Sequence, residues 1–259
     1  MQRKTIGLAL GGGGARGFCH IGVLEVLEES GIPVDFVSGC SMGAIVGGCY
    51  CAGVSVAALH VVARKITQKV VMDIDISKRR CGLVSGKRAV KTLQPLVGEK
   101  NIEDCRIPFR ATATDVRSGT LKVLHSGKLI DAMRASMSIP VAFHAVERGE
   151  ELLVDGGVLE RIPIDSCRAM GADIVIAVDA LGGAPSKDYV PDGMLSIVER
   201  SCLLMDWQTC RENIKKADLL IVPEQGNRTT YRFKDNEYSI ERGRIAAREM
   251  LPHIKEIIR

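Results

Sequence analysis

Ser41 stands between two glycines in Val37-Ser38-Gly39-Cys40-Ser41-Met42-Gly43, after an apolar run and before a helix-like run rich in small residues. This is G-x-S-x-G spacing, in which a sharp strand-to-helix turn lifts a serine hydroxyl clear of a sheet. Side chains at Gly39 or Gly43 would clash in so tight a turn. A serine presented in this way is a nucleophile for acyl transfer, provided that a base and a set of oxyanion donors lie nearby. The plain alternative is a Gly/Ser-rich turn opening a helix, so the reading needs partners elsewhere in the chain.

Two further stretches qualify as partners. Gly11-Gly12-Gly13-Gly14-Ala15-Arg16-Gly17 lies between the first strand and the first helix. Backbone without side chains can turn its N–H groups into one concavity, and the helix N-terminus adds positive potential. Such a loop binds a phosphate or a developing oxyanion. Residues 12–17 also fit G-x-G-x-x-G, the dinucleotide fingerprint, which wants an acidic residue about 20 positions on, at the end of the second strand. Asp35 has nearly that spacing but stands within the second strand, whose end carries Gly39-Cys40-Ser41. The other stretch is Asp155-Gly156-Gly157, after the strand-like Leu152-Leu153-Val154. A carboxylate at a strand end, followed by glycines, can come close enough to another turn to take a serine proton. Its plain alternative is an Asp-Gly turn. His20 and His60 sit in helical runs, and none of the five histidines stands out as a mobile base, which favours a Ser–Asp dyad over a triad.

These loops need a frame. Residues 5–10 read as a buried strand and residues 15–30 as a helix with Phe18, Ile21, Leu24 and Leu27 along one stripe. Gly31 ends that helix and Pro33 prevents its resumption. Val34 to Val37 is the second strand, and Met42 to Ala52 a helix. Phe109 to Thr114 and Leu121 to His125 form a hairpin around Arg117-Ser118-Gly119. A helix over 129–136 follows, then strands over 142–146 and 151–154, a helix over 163–170 and an apolar strand over 174–178. A helix over 194–216, a strand over 219–222 and a helix over 239–258 complete the chain. Strands alternating with helices predict a mostly parallel sheet covered on both faces, as one domain over residues 1–259.

The chain has 259 residues, 46% hydrophobic and 25% charged, with a formal net charge of +4. These are ordinary globular values. Aromatics are scarce at 4%, and no nucleic-acid partner is expected. Nine cysteines sit singly in apolar or helical segments, without C-x-x-C, which points to a reducing, cytoplasmic compartment. Residues 36–63 carry no formal charge, yet their glycines argue for two buried helices, with Gly53 as a stop and Ser55 as an N-cap, and not for a membrane span. Residues 64–91 are basic, with Arg64, Lys65, Lys69, Lys78, Arg79, Arg80, Lys87, Arg88 and Lys91 opposed by Asp73 and Asp75. This stretch reads as a helix end and a mobile loop. A solvated face is the plain reading, and a flap meeting anionic headgroups at the inner membrane surface the sharper one.

Taken in order, the motifs resemble the patatin-like phospholipase family, in the look of its small bacterial members. The match runs through Gly12-Gly13-Gly14-Ala15-Arg16-Gly17, His20-Ile21-Gly22-Val23-Leu24, Gly39-Cys40-Ser41-Met42-Gly43, Ala113-Thr114-Asp115, Ser136-Met137-Ser138-Ile139-Pro140 and Val154-Asp155-Gly156-Gly157-Val158. It covers residues 5–180. The resemblance implies an α/β/α three-layer sandwich and hydrolysis of fatty acyl esters of lipids, with no metal or organic cofactor. By position it makes Ser41 the nucleophile and Asp155 the base. It gives the oxyanion hole to Gly12, Gly13 and Gly14, with Arg16 in that loop, and makes Gly17, Gly39, Gly43, Gly156 and Gly157 motif glycines. Two positions depart from the family's pattern: Val158-Leu159-Glu160-Arg161-Ile162-Pro163 replaces an asparagine-bearing loop, and Cys40 stands where threonine is usual. A partner-binding or regulatory protein of the same fold, without turnover, is the second reading. Headgroup, acyl position, chain length and oligomeric state are not written in the motifs.

Overall fold

The computed structural model describes residues 3–71, 73–75, 82–226 and 228–259. Lys78, Arg79 and Arg80 of the basic stretch lie outside the described residues.

The chain begins with β1 (Ile6–Leu10), α1 (Cys19–Glu29), β2 (Phe36–Cys40) and α2 (Met42–Cys51). Three helices follow: α3 (Val56–Lys65), α4 (Gln68–Val71) and α5 (Lys87–Val97). Then come β3 (Phe109–Asp115), β4 (Thr120–Leu124), α6 (Leu129–Ser136), β5 (Val146–Arg148) and β6 (Glu151–Asp155). The chain closes with α7 (Ile164–Arg168), β7 (Ile174–Val178), α8 (Met194–Asn213), β8 (Leu219–Ile221) and α9 (Asn236–Ile257).

The eight strands form one sheet in the order β5-β6-β3-β2-β1-β7-β8, with β4 on β3. β3, β2, β1, β7 and β8 pair in parallel. β4, β5 and β6 pair antiparallel. β1 and β7 are buried on both faces, which is why they read as continuous apolar runs. Ile6, Leu8, Leu10, Ile174 and Ile176 pack with α1, α2, α6 and α9 in the larger core. Ala9, Val175 and Ala177 face the other way, against Ile164 and Cys167 of α7 and Cys210 of α8. The result is the expected three-layer α/β/α sandwich.

Several boundaries differ from the sequence reading. β2 lies two to three residues later than expected, because parallel pairing with β1 and β3 carries Ser38 and Gly39 into the sheet despite their low strand propensity. Gly53 (φ 99°) and the Ser55 hydroxyl, which accepts from the Ala58 amide at 3.3 Å, do end one helix and start the next. The second of that pair, α3, is amphipathic and not fully buried, with Val56, Leu59 and Ala63 inward and Val61 outward. The basic stretch is not a bare loop. It contains α4 and opens α5, whose Ala89, Leu93 and Val97 face inward at helical spacing while Lys87, Arg88 and Lys91 face solvent. Of the strand expected over 142–146, only Val146 pairs with β6; Phe143 bridges Val84 instead.

One feature of the sheet positions the site. β4 pairs with Ala111 to Asp115 of β3 and occupies one edge. The other edge is shared: β2 pairs with Phe109 to Thr112, and β6 with Ala113 to Asp115. β2 runs up this edge and ends with Cys40 opposite Thr112, while β6 runs down it and ends with Asp155 opposite Ala113. Two strand C-termini, 115 residues apart in sequence, therefore meet head-on.

Candidate active site

Ser41 follows directly on β2 and adopts φ 54°, ψ −121°. Such a conformation costs on the order of 1–3 kcal/mol and persists only where its surroundings hold it. The holding is visible. The Ser41 carbonyl accepts the amides of Ala44 and Ile45 at 3.0 and 3.1 Å, and its own N–H donates to the Ser136 hydroxyl at 2.8 Å. A Cβ on Gly43 would stand 2.1 Å from the Leu10 carbonyl oxygen, and one on Gly39 2.5 Å from that of Gly43. The elbow is thus wedged against the end of β1, and only glycine fits at either position.

Asp155 meets this turn from β6. Its carboxyl accepts the Gly157 amide at 2.8 Å and the Cys40 thiol at 3.5 Å. Burial pushes the carboxyl up to about 6; hydrogen bonds from the Ser41 hydroxyl, the Gly157 amide and Cys40 oppose the rise, and the charge of Asp206 adds to it. Gly156 lets the turn lie on β3, since a Cβ there would stand 2.5 Å from the Thr112 hydroxyl. Cys40 is fully buried, and burial raises its thiol well above the ordinary range, with the nearby Asp155 charge second. Its proton stays on sulfur, so this thiol is a poor nucleophile.

The glycine loop lies against the serine. A Cβ on Gly12 would be 3.3 Å from Ser41 Cβ, and one on Gly17 2.5 Å from Met42 Cγ. The loop's amides are not equivalent. Gly12 N–H donates to the Arg161 carbonyl at 3.0 Å and Ala15 N–H to that of Thr230 at 2.7 Å. Among the described residues, the amides of Gly13 and Gly14 remain without a protein acceptor. Of the three glycines expected at an oxyanion site, only Gly13 and Gly14 thus keep amides free to donate. The Arg16 guanidinium anchors this loop. It donates to the carbonyls of Leu181 at 2.8 Å and Arg228 at 2.7 Å, tying the loop to the strap that precedes α9.

Residues beyond the three loops hold this arrangement. His20 is fully buried and contacts the Gly11 carbonyl at 2.7 Å; burial lowers its pKa to about 4, so it is a neutral tether for the loop. Arg161, in the loop that departs from the family pattern, is buried between Asp179 at the end of β7 and Asp206 of α8. Ser136 and Ser138 touch both halves: Ser136 accepts the Ser41 amide, and the Ser138 carbonyl accepts the Asp155 amide at 2.9 Å. Both serines lie in a motif quoted from the sequence, but nothing in that motif said which backbone groups they would meet. Asp35, the acid a dinucleotide fold would need, stands just before β2, bound to Arg3 and the Ile6 amide at 2.8 Å. That is the end of the sheet opposite the glycine loop, so the dinucleotide reading falls. Among the described residues, no group of three or more His, Cys, Asp or Glu could hold a metal ion.

Ser41 also lines an apolar cavity of about 90 Å³. Its walls include Phe18, Ile45, Leu93, Met137, Phe143 and Phe233.

A family model described as patatin-like phospholipase matches residues 8–168. The chain belongs to the patatin-like phospholipase family. An uncharacterised NTE family protein of Mycobacterium bovis is 36% identical to this patatin-like chain over 190 residues, covering 72% of it and 52% of the relative. The lysophospholipase NTE1 of Yarrowia lipolytica is 33% identical over 183 residues, covering 69% of this chain and 13% of the relative. The patatin-like chain thus spans about half, or much less, of the length of these relatives. Human GIVD cytosolic phospholipase A2 superposes with a TM-score of 0.57 at 11% identity, covering 100% of this chain and 60% of that one. VipD from Legionella pneumophila gives 0.54 at 13% identity, covering 98% and 67%. At these identities the two structures share the patatin-like fold with this chain and nothing finer. Among the described residues, no helix is long and apolar enough to cross a membrane.

Proposed function

We propose that this chain is a serine acyl hydrolase that cleaves fatty acyl esters of lipids, with Ser41 as nucleophile and Asp155 as base. The observation that carries the reading is the convergence of a strained, elbow-borne serine and a buried carboxyl, which the Cys40 thiol next to that serine meets at 3.5 Å, at the wall of an apolar cavity. Its apolar walls suit the alkyl part of an acyl ester whose carbonyl lies beside the Ser41 hydroxyl.

The steps follow from the positions. The Ser41 oxygen attacks the carbonyl carbon while its proton passes to the Asp155 carboxylate. The carbonyl electrons move to oxygen, and the oxyanion takes the Gly13 and Gly14 amides, each worth about 3 kcal/mol where such donors have been removed singly. The tetrahedral centre collapses, and the leaving alcohol takes the proton from Asp155. Asp155 then draws a proton from water, whose oxygen attacks the acyl-serine. Ser41 recovers the proton as the fatty acid departs.

A fluorophosphonate probe tests this. Labelling on Ser41, lost in Ser41→Ala, is expected, and Asp155→Asn should lower turnover of a short soluble acyl ester by at least about 100-fold. A folded protein that resists the probe and cleaves no such ester would leave the non-catalytic, partner-binding reading in its place.

A further inference from the structure

The cavity beside Ser41 has a cover with two different faces. Residues 73–75, 82–84 and 139–143 build it: Ile74 bridges Val84, Val84 bridges Phe143, and the amides of Leu83 and Val84 donate to the Ala142 carbonyl at 3.1 and 2.8 Å. Inward, Ile139 and Phe143 line the cavity. Outward, Ile74 is 71% exposed, Leu83 48% and Val141 76%. Val141 also holds φ at 69°, an outlier for a β-branched residue. A strained apolar tip in open solvent has no packing role, and strain of this kind gathers at functional segments.

Cations lie beside this tip. Lys65, Lys69, Lys87, Arg88 and Lys91 are exposed on the end of α3, on α4 and on the first turns of α5. Among the described residues, Lys69, Lys87 and Lys91 have no carboxylate partner. Asp73 does not neutralise them: it is buried and accepts the Gly86 amide at 2.9 Å, the Arg88 amide at 3.2 Å and the Ser85 hydroxyl. An apolar tip alone would suit many partners. With unpaired lysines beside it and an apolar cavity directly beneath, it fits a surface that is anionic outside and hydrocarbon inside.

We propose that the protein docks through this cover onto a bilayer containing anionic lipid. Ile74, Leu83 and Val141 enter the boundary between headgroups and acyl chains, while Lys69, Lys87 and Lys91 meet the lipid phosphates and carboxylates. This inference rests on the acyl-hydrolase reading, because it makes the cavity under the cover the place that receives a chain drawn from the membrane.

The test is flotation of the whole protein with phosphatidylcholine vesicles, with and without phosphatidylserine. Binding should require the anionic lipid and fall with added salt. Lys87→Gln with Lys91→Gln should weaken it roughly fivefold per lysine. Val141→Asn should weaken it by about tenfold through loss of the apolar tip, and asparagine tolerates the backbone conformation, so this variant folds. Hydrolysis of a short soluble ester should be unchanged in both. Equal binding to neutral and anionic vesicles, or variants that float like the parent, would overturn the docking while leaving the hydrolase reading intact. Self-association without lipid that Val141→Asn abolishes would assign the face to a second copy and overturn it too. Anionic binding lost in the variants of a protein that cleaves no ester would keep the docking and remove the hydrolase.

Discussion

A carboxyl packed against a thiol and backbone keeps its proton longer than one in water, and Asp155 does so up to about pH 6. In the proposed mechanism turnover needs the carboxylate, so kcat/KM should rise as pH climbs through about 6. Folding stability moves the other way. The native state binds this proton more tightly than the unfolded chain, so the contribution is complete below the ordinary aspartate value of 3.8 and is lost as pH rises through about 6. Asp155→Asn should therefore raise Tm at roughly pH 8 and leave it nearly unchanged at roughly pH 4, with a gain on the order of 2–3 kcal/mol at the higher pH. Calorimetry of both proteins at the two pH values checks it. His20 acts in the opposite sense: its neutral form is the native one, and its contribution is lost as pH falls from 6.5 through about 4. It does so equally in both proteins and cancels in the difference. At this scale the approach of Ser41 and Asp155 to one another was legible, because both sit in turns whose glycines betray close backbone approach. Their supports were not. Ser136 acts through its hydroxyl and Ser138 and Arg161 through their carbonyls, and every residue has a carbonyl, so sequence carries no mark of it.

Glycine decides the outcome at the scale of elements too. The elbow brings the N-terminus of α2 onto the last residue of β1, and α1 and α9 cross where Gly22 and Gly243 each face a partner carbonyl that a Cβ would meet at 2.0 Å. These partners are backbone and cannot swing aside. Gly43→Ala should cost about 3 kcal/mol or more by overpacking, read as a fall in Tm or as insoluble protein, whereas Gly193→Ala, with open space around it and an extended backbone, should leave Tm nearly unchanged. Elements with one clean signal were legible: the helix over 129–136 and the strand over 174–178 hold as read. The reading failed where two signals overlapped. The charges of residues 87–91 masked the Ala89, Leu93, Val97 stripe of α5, since a charge run and the outer face of an amphipathic helix look alike until the inward residues are counted. β2 was misplaced because the force that makes it a strand is pairing with neighbours, which local propensity does not contain.

Across the whole molecule, Arg161 ties distant parts together. Its guanidinium joins the end of β7 to α8, and its carbonyl fixes the glycine loop beside β1. Asp179 is fully buried and depends on this partner. Arg161→Met should destabilise by on the order of 3 kcal/mol, because it strands a buried charge, and thermal melts should fall by roughly 6–12 °C. Adding Asp179→Asn should recover part of the loss, since the stranded charge is then gone. The layered architecture was legible from the alternation of strands and helices alone. The reversal of direction at β3 was not, because it depends on which edge of β3 receives β6, a choice made by contacts far apart in sequence. That choice has a temporal side. During synthesis Ser41, the glycine loop and the first half of the sheet leave the ribosome long before residue 155 does. Until β6 arrives at the vacant stretch of β3, the serine lacks the proton acceptor that the proposed mechanism gives it, and on that mechanism the growing polypeptide is chemically silent toward any ester it meets.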